Sequence, residues 1–293
     1  MQEEEQEKTP EVHSDTLPKI VAIIGQTATG KSDFAVEYAL AHNGEIISAD
    51  SRQIYKGLDI GTGKITHEEM RGIPHYMLDI LSLGQEYSVA AYVHDVVPII
   101  DDIISRGKVP ILCGGTSQYV HAVIYAYAFP KSIENEVYEK IVAEKNNDEL
   151  YALLSEKDAT RAEEIGKQNR RRLIRALSIL ESGNSITPLV QTLRYDAHVI
   201  EMEVERDTLR ERIKARIDTR MEKGMLEEVK KVLEYTQDEE ILKRYGLEYV
   251  ELGNYIQRLC TLEEAKEKLF FATWHYAKRQ KTYNKKYFAK DRG

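Results

Sequence analysis

Cysteine is scarce in this chain of 293 residues. With only Cys113 and Cys260 present, a cysteine-rich zinc site is excluded, no disulfide framework is available, and both thiols are expected to be reduced. Long apolar runs are missing as well. Runs such as Ile20 to Ile24 are about five residues, and none approaches the roughly 20 that cross a bilayer, so no membrane partner is expected. The first sixteen residues carry six acids against Lys8 and no apolar stretch of the secretory kind, which predicts a protein that stays in the cytoplasm. No internal repeat is apparent, and composition excludes collagen-like, mucin-like and coiled-coil chains.

What is present is an ordinary globular composition, 42% hydrophobic and 31% charged. The formal charge is 41 − 49 = −8, yet the basic residues are bunched. KQNRRRLIR, residues 167–175, holds five cations and no acid, and KRQKTYNKKYFAKDRG, residues 278–293, holds seven cations against Asp291. Clusters of this kind suit phosphodiesters, and the tyrosines Tyr276, Tyr283 and Tyr287 add surfaces for stacking bases. A solvated basic face is the plain alternative for either run alone. Two of them in an acidic protein point to RNA.

Apolar, β-branched KIVAIIG is read as a buried parallel strand. A helix over about 30–41, a strand at 45–49, a strand at 76–80, a helix at 89–105 and the strand VPILC follow, an alternation that implies an α/β fold with a parallel sheet. From residue 130 the pattern turns to charged helices until HVIEMEV at 198–204. Asp207 is then read as the cap of one long helix to Tyr235, and Thr261 with Glu264 as the capping box of a last helix towards Tyr283. The expected organisation is a disordered acidic tail over 1–17, a P-loop core over 18–129, a helical insertion over 130–190, and the rest of the core over 191–293 with a basic C-terminal helix.

GQTATGKS, comprising Gly25, Gln26, Thr27, Ala28, Thr29, Gly30, Lys31 and Ser32, fits the phosphate-binding P-loop and stands where one must, between a buried strand and a helix. Its backbone N–H groups converge on phosphate oxygens, Lys31 neutralises charge, and the Ser32 hydroxyl is a magnesium ligand. The loop indicates a diphosphate or triphosphate without choosing between them. Asp50 follows the second strand, at the sheet edge where open α/β folds bind ligands. A carboxylate there is a general base, a metal ligand or a helix cap. The strand at 109–113 ends in Gly-Gly-Thr, without the acid of an ATPase site, although Asp50 or Asp79 are candidates to replace it. Arg212 and Arg216 share a helix face and suit a phosphate cluster, with exposed salt bridges as the simpler reading.

Taken together, GQTATGKS, DSRQIYKGLDIGTGK, PHYMLDI, YSVAAY, PILCGGTSQY, NRRRLIRAL, RIKARIDTRMEKGMLEEV and YAKRQKTY resemble, in order and spacing, the tRNA dimethylallyltransferases, also called tRNA isopentenyltransferases, across residues 20–285. The resemblance implies a P-loop NTPase-like parallel sheet core with a helical insertion domain that grips the anticodon stem-loop. It implies transfer of a dimethylallyl group from dimethylallyl diphosphate to the N6 amine of the adenosine 3′-adjacent to the anticodon, with Mg2+ and loss of diphosphate, by a monomer. On its account residues 25–32 and Arg216 hold the donor's diphosphate, Asp50 is the base on the adenine amine, and Thr116 lies beside the reacting centre. The tRNA-contacting segments implied are Asp50, Ser51, Arg52 and Gln53; Arg171, Arg172, Leu173, Ile174 and Arg175; and Lys278, Arg279, Gln280, Lys281, Thr282, Tyr283 and Lys285.

This chain departs from the family pattern in several places. Gly166-Lys167-Gln168-Asn169 stands where the family has His-Pro-Asn-Asp, Tyr138 and Trp274 stand at arginine positions, Tyr283 replaces a tryptophan, and the chain ends soon afterwards. The rival functions are prenylation of free adenine nucleotides, a P-loop kinase or ATPase, and a nucleotide-gated RNA-binding module. The Gly-Gly-Thr turn and the two basic segments favour tRNA.

Overall fold

The computed structural model describes residues 17–127, 142, 144–181 and 192–288. The acidic tail up to residue 16, the expected insertion limits near 130 and 190, and Tyr138 lie outside the described residues. Two compact units emerge, one from residues 1–125 and 193–293, the other from 126–192.

The first unit is built on a five-stranded, wholly parallel sheet in the order β3-β2-β4-β1-β5. Its strands are β1 (Lys19–Gly25), β2 (Gly44–Ser48), β3 (His75–Tyr76), β4 (Val109–Cys113) and β5 (Asp196–Met202). β1 and β2 are buried nearly end to end, as expected where crossover helices cover both faces of a parallel sheet. Helices α1 (Lys31–His42), α2 (Val89–Ser105) and α3 (Ser117–Ile124) supply the crossovers. The Ser88 hydroxyl caps α2 by accepting the Ala91 N–H at 3.1 Å.

Three expectations are corrected. The strand read at 76–80 stops at Tyr76, because Met77 and Asp79 adopt positive φ and leave the pleated conformation. The helix expected from Asp207 to Tyr235 is two helices. They meet at Gly224, whose φ of 96° ends helical geometry. The N-cap is Glu205, with Asp207 inside the first turn.

Among the described residues the chain then forms α4 (Asn147–Lys157), α5 (Ala159–Ile165) and α6 (Arg170–Glu181) in the second unit. Back in the first unit come α7 (Arg206–Glu222), α8 (Met225–Tyr235), α9 (Glu239–Tyr245), α10 (Leu247–Ile256) and α11 (Leu262–Tyr287). The Thr261–Glu264 capping box opens α11. In the second unit Leu150, Leu154, Leu173 and Leu177 form a small core. No described helix is long and apolar enough to cross a membrane.

One charged group sits inside the sheet. Glu45 of β2 is 1% exposed, held bidentately by Arg106 at 2.7 and 2.6 Å and by Lys108 and Tyr76 at 2.6 and 2.8 Å. The Arg106 hydrogen bonds pull its carboxyl down to about 2.

Candidate active site

β1 delivers the phosphate-binding loop. Gly25 is required at its end twice over, by a φ of 147° and because a Cβ would fall 2.5 Å from the Met202 carbonyl oxygen of the neighbouring strand. The loop closes on itself. Thr29 Oγ1 and Lys31 Nζ both donate to the Gln26 carbonyl, at 2.8 and 2.6 Å. Ser32 is exposed at the start of α1. Burial pushes the Lys31 ammonium down to about 8, and the neighbouring Arg216 cation adds to the effect. Arg216, on α7, donates from Nη1 to Thr27 Oγ1 at 2.7 Å. Burial and the adjacent Arg220 lower its guanidinium to about 10. Two cations crowded at a cost to their own charged forms mark a place prepared for an anion.

The carboxyl end of β2 delivers Asp50. It is carried towards the loop by the contact of β2 with β4: the Ala49 N–H donates to the Cys113 carbonyl at 2.8 Å, and the Thr116 N–H donates to the Ala49 carbonyl at 2.9 Å. A side chain at Gly114 would collide with Ala49 backbone, which accounts for the glycine in that turn. Asp50 Oδ1 accepts the Arg52 N–H at 2.9 Å. The cap-like contact is therefore real, yet it occupies one oxygen only. Asp50 also faces the cavity.

Three expected site residues make structural contacts. Thr116 Oγ1 accepts the Ser51 N–H at 3.0 Å and donates to Ser51 Oγ at 3.2 Å, and it does not line the cavity. Its position suits holding the Asp50 loop. Gln280, read as part of an RNA-contacting segment, is 5% exposed. Its Oε1 accepts the Thr27 N–H at 2.8 Å and its Nε2 donates to the Gly115 carbonyl at 2.8 Å, so it fastens the loop to the turn after β4. Leu173 is likewise fully buried in the second unit's core with Ile174 packed against it. Exposed Arg171, Arg172 and Arg175 remain as the outward groups of that segment. On α11, Lys278, Arg279, Lys281, Thr282 and Lys285 are exposed and Tyr283 is half-buried.

The opposite wall is the loop at 59–66. Its anchor was not legible in the sequence. Glu228 of α8 accepts the N–H groups of Asp59, Ile60 and Gly61 at 2.9, 2.8 and 2.8 Å, and the Tyr249 hydroxyl at 2.8 Å. Arg220 donates to the Gly61 carbonyl at 2.7 Å and to Glu248 at 3.1 Å. A carboxylate in an acidic amphipathic helix carries no signal of this role, since nothing local separates it from the solvated acids beside it. Asp79 pairs with Lys64 at 2.5 Å and does not line the cavity, which leaves Asp50 as the acid beside the phosphate loop at this sheet edge.

These walls enclose about 640 Å³. Thr27, Ala28, Lys31 and Ser32 line one side and Ile60 to Thr66 the other. Asp50, Arg52, Gln53, Arg216, Tyr276 and Gln280 lie between them. The Arg52 guanidinium stands 4.9 Å over the Tyr276 ring. The cavity thus joins a cationic cradle to a carboxylate and an aromatic face, the equipment for displacing a phosphorylated leaving group with a nucleophile whose proton must be removed.

A family model described as IPP transferase matches residues 53–287. A tRNA dimethylallyltransferase of Anoxybacillus flavithermus is 41% identical over 90% of this chain and 86% of its own length. One from Bacillus subtilis is 39% identical over 92% and 88%. The crystal structure of the full-length tRNA isopentenylpyrophosphate transferase from Bacillus halodurans superimposes with a TM-score of 0.67 at 38% identity, covering 90% of this chain and 86% of that one. A eukaryotic dimethylallyltransferase crystallised acting on tRNA superimposes with a TM-score of 0.79 at 26% identity, over 91% and 70%.

Proposed function

The chain belongs to the IPP transferase family, and from that premise we propose that it is a tRNA dimethylallyltransferase using dimethylallyl diphosphate. The dimethylallyl group passes to the N6 amine of the adenosine 3′-adjacent to the anticodon, and diphosphate leaves. The observation that carries this reading is the single cavity in which Lys31 and Arg216, both with weakened hold on their protons, face Asp50.

In the reaction the bond between the allylic carbon and the diphosphate oxygen breaks, its electron pair staying with diphosphate. The loop N–H groups, Lys31 and Arg216 are placed to stabilise that developing charge. The adenine nitrogen forms the new bond to carbon and gives up a proton, which Asp50 takes. An exocyclic adenine amine is a weak nucleophile because its lone pair is delocalised, so removing the proton contributes. The adenosine has to be unstacked to enter, and the Tyr276 ring is suited to receive it.

Among the described residues no group of three or more His, Cys, Asp or Glu is disposed to hold a metal ion. Mg2+ needs no such protein cage, because it keeps several waters and binds through substrate phosphates with one or two carboxylates. Ser32 would hold it, with Asp33 and Asp50 lining the same cavity. When bound it neutralises the leaving diphosphate. The exposed arginines of α6 and the exposed cations of α11 are assigned to the anticodon stem-loop, the acting species to a monomer, and its location to the cytoplasm.

The test is transfer of labelled dimethylallyl group to unmodified tRNA with AMP and ATP as competing acceptors. Label is expected in tRNA alone. Efficient labelling of AMP without transfer to a stem-loop, or tRNA-stimulated ATP hydrolysis with no use of the allylic donor, overturns the reading.

A further inference from the structure

Helix α11 separates two cavities. Thr273, Tyr276 and Gln280 face the one described above. Trp274, Lys278, Lys281 and Thr282, on another face of the same helix, line a second cavity of about 430 Å³ together with Arg206 of α7.

This second cavity has an unusual charge arrangement. Three cations surround the Trp274 ring: Lys278 Nζ lies 5.2 Å from its centroid, and the guanidiniums of Arg210 and Arg206 lie 5.7 and 5.8 Å away. Among the described residues none of these three side chains has a hydrogen-bonded or ion-paired acid. Lys281 is 4.0 Å from Glu203. Glu203, Glu205 and Asp207 are exposed nearby, and none of them lines the cavity. Contact with the ring leaves each cation its charge, so three like charges remain gathered at one place with their mutual repulsion reduced only by solvent. An anion seated among them removes it. Trp274 itself is 7% exposed, too covered to stack on a base, so the chemistry that fits is phosphate.

We propose that this cavity is a binding site for a phosphodiester of the RNA strand next to the reacting nucleotide, with Arg206, Lys278 and Lys281 of its lining as ligands and Arg210, beside the same Trp274 ring, adding positive charge. The proposal rests on the tRNA reading above. Both cavities are lined by α11, and a helix with its side chains is about 10–12 Å across, a separation short enough for one single strand to span.

Trp274 is the sole tryptophan of the 293 residues, and its intrinsic fluorescence reports on this cavity. The full-length protein is titrated with an unmodified anticodon stem-loop RNA and, separately, with inorganic pyrophosphate, while prenyl transfer to the same RNA is followed. A saturable change in Trp274 emission with RNA is expected. In Arg206→Gln/Arg210→Gln, two exposed positions, RNA affinity should fall about tenfold or more, as for the loss of charge-assisted hydrogen bonds, with a shallower salt dependence. Transfer without any RNA-dependent change in emission, or an unchanged affinity in the double variant, overturns the site and leaves the enzyme reading intact. A signal from pyrophosphate but none from RNA overturns the RNA ligand. Absence of both transfer and RNA binding overturns the enzyme reading itself.

Discussion

The Thr27 N–H of the phosphate loop donates to Gln280 Oε1, 253 positions further along the chain, across 2.8 Å. The same amide group donates from Nε2 to the Gly115 carbonyl at 2.8 Å. One buried side chain therefore sets the spacing between the phosphate loop and the turn after β4, against which the strand end that carries Asp50 is held. Gln280→Leu leaves an N–H and a carbonyl unpaired at a cost of about 1–3 kcal/mol each. We expect kcat/KM to fall about 10- to 100-fold, read from steady-state transfer with donor varied, while the thermal unfolding transition remains cooperative. An unchanged kcat/KM would remove Gln280 from the site's scaffold.

Asp50→Asn keeps the acceptor for the Arg52 N–H, now made by Asp50 Oδ1 at 2.9 Å, and removes the proposed base. Single-turnover transfer should slow about 10²- to 10⁴-fold with tRNA affinity nearly unchanged. Recovery at high magnesium would instead identify a metal ligand. A loss of less than about tenfold, well below that range, would leave Asp50 as a cap.

Lys31 gives the donor site a pH dependence whose sign is determined. In the free protein burial lowers its ammonium from 10.5 to about 8, and a bound diphosphate favours the charged form. Binding above pH 8 therefore takes up a proton, so donor affinity is full at pH 7 and weakens as pH rises through 8, by at most about tenfold per unit. Competition by pyrophosphate between pH 7 and 9.5 measures this. In Lys31→Ala the dependence should disappear and transfer with it.

Arg171, Arg172 and Arg175 project from α6 while Leu173 and Ala176 of the same helix are buried. The triple alanine variant should keep its helical circular dichroism and bind tRNA more weakly. If each arginine neutralises one phosphate, the slope of log affinity against log salt should become shallower by about 2 to 3. An unchanged slope would mean that this face is merely solvated.

Glu45 predicts acid sensitivity of the sheet. Its carboxyl is held at about 2 against 4.5, a depression whose stabilisation is complete above the unfolded value and lost as pH falls towards 2. The amount is up to about 3 kcal/mol. Urea unfolding between pH 7 and 2 should show this loss below pH 5, and Glu45→Gln should flatten that part of the curve.

The elements set by short-range chemistry were legible in the residues alone. α2 begins and ends where the helix was read, at 89 and 105, and the Thr261–Glu264 box opens α11. The strand at 76–80 and the helix running through Gly224 were misread because positive φ at Met77, Asp79 and Gly224 breaks a pattern that residue hydropathy continues. That Leu173 and Gln280 turn inward was not legible for a related reason. A cationic segment does not reveal which of its members turn inward.

By itself the sequence determined the phosphate loop, since eight contiguous residues between a strand and a helix dictate one backbone turn and the N–H groups it presents. Only the tertiary structure decided what faces that loop. The order β2-β4-β1 brings Asp50 beside it. Arg216 and Gln280 arrive on helices 189 and 253 positions away from Thr27, and Glu228 is held to a loop 167 to 169 positions earlier. Contacts at such separations are selected by the packing of the whole sheet and its helices, because no local propensity distinguishes a buried acid or amide from its solvated neighbours.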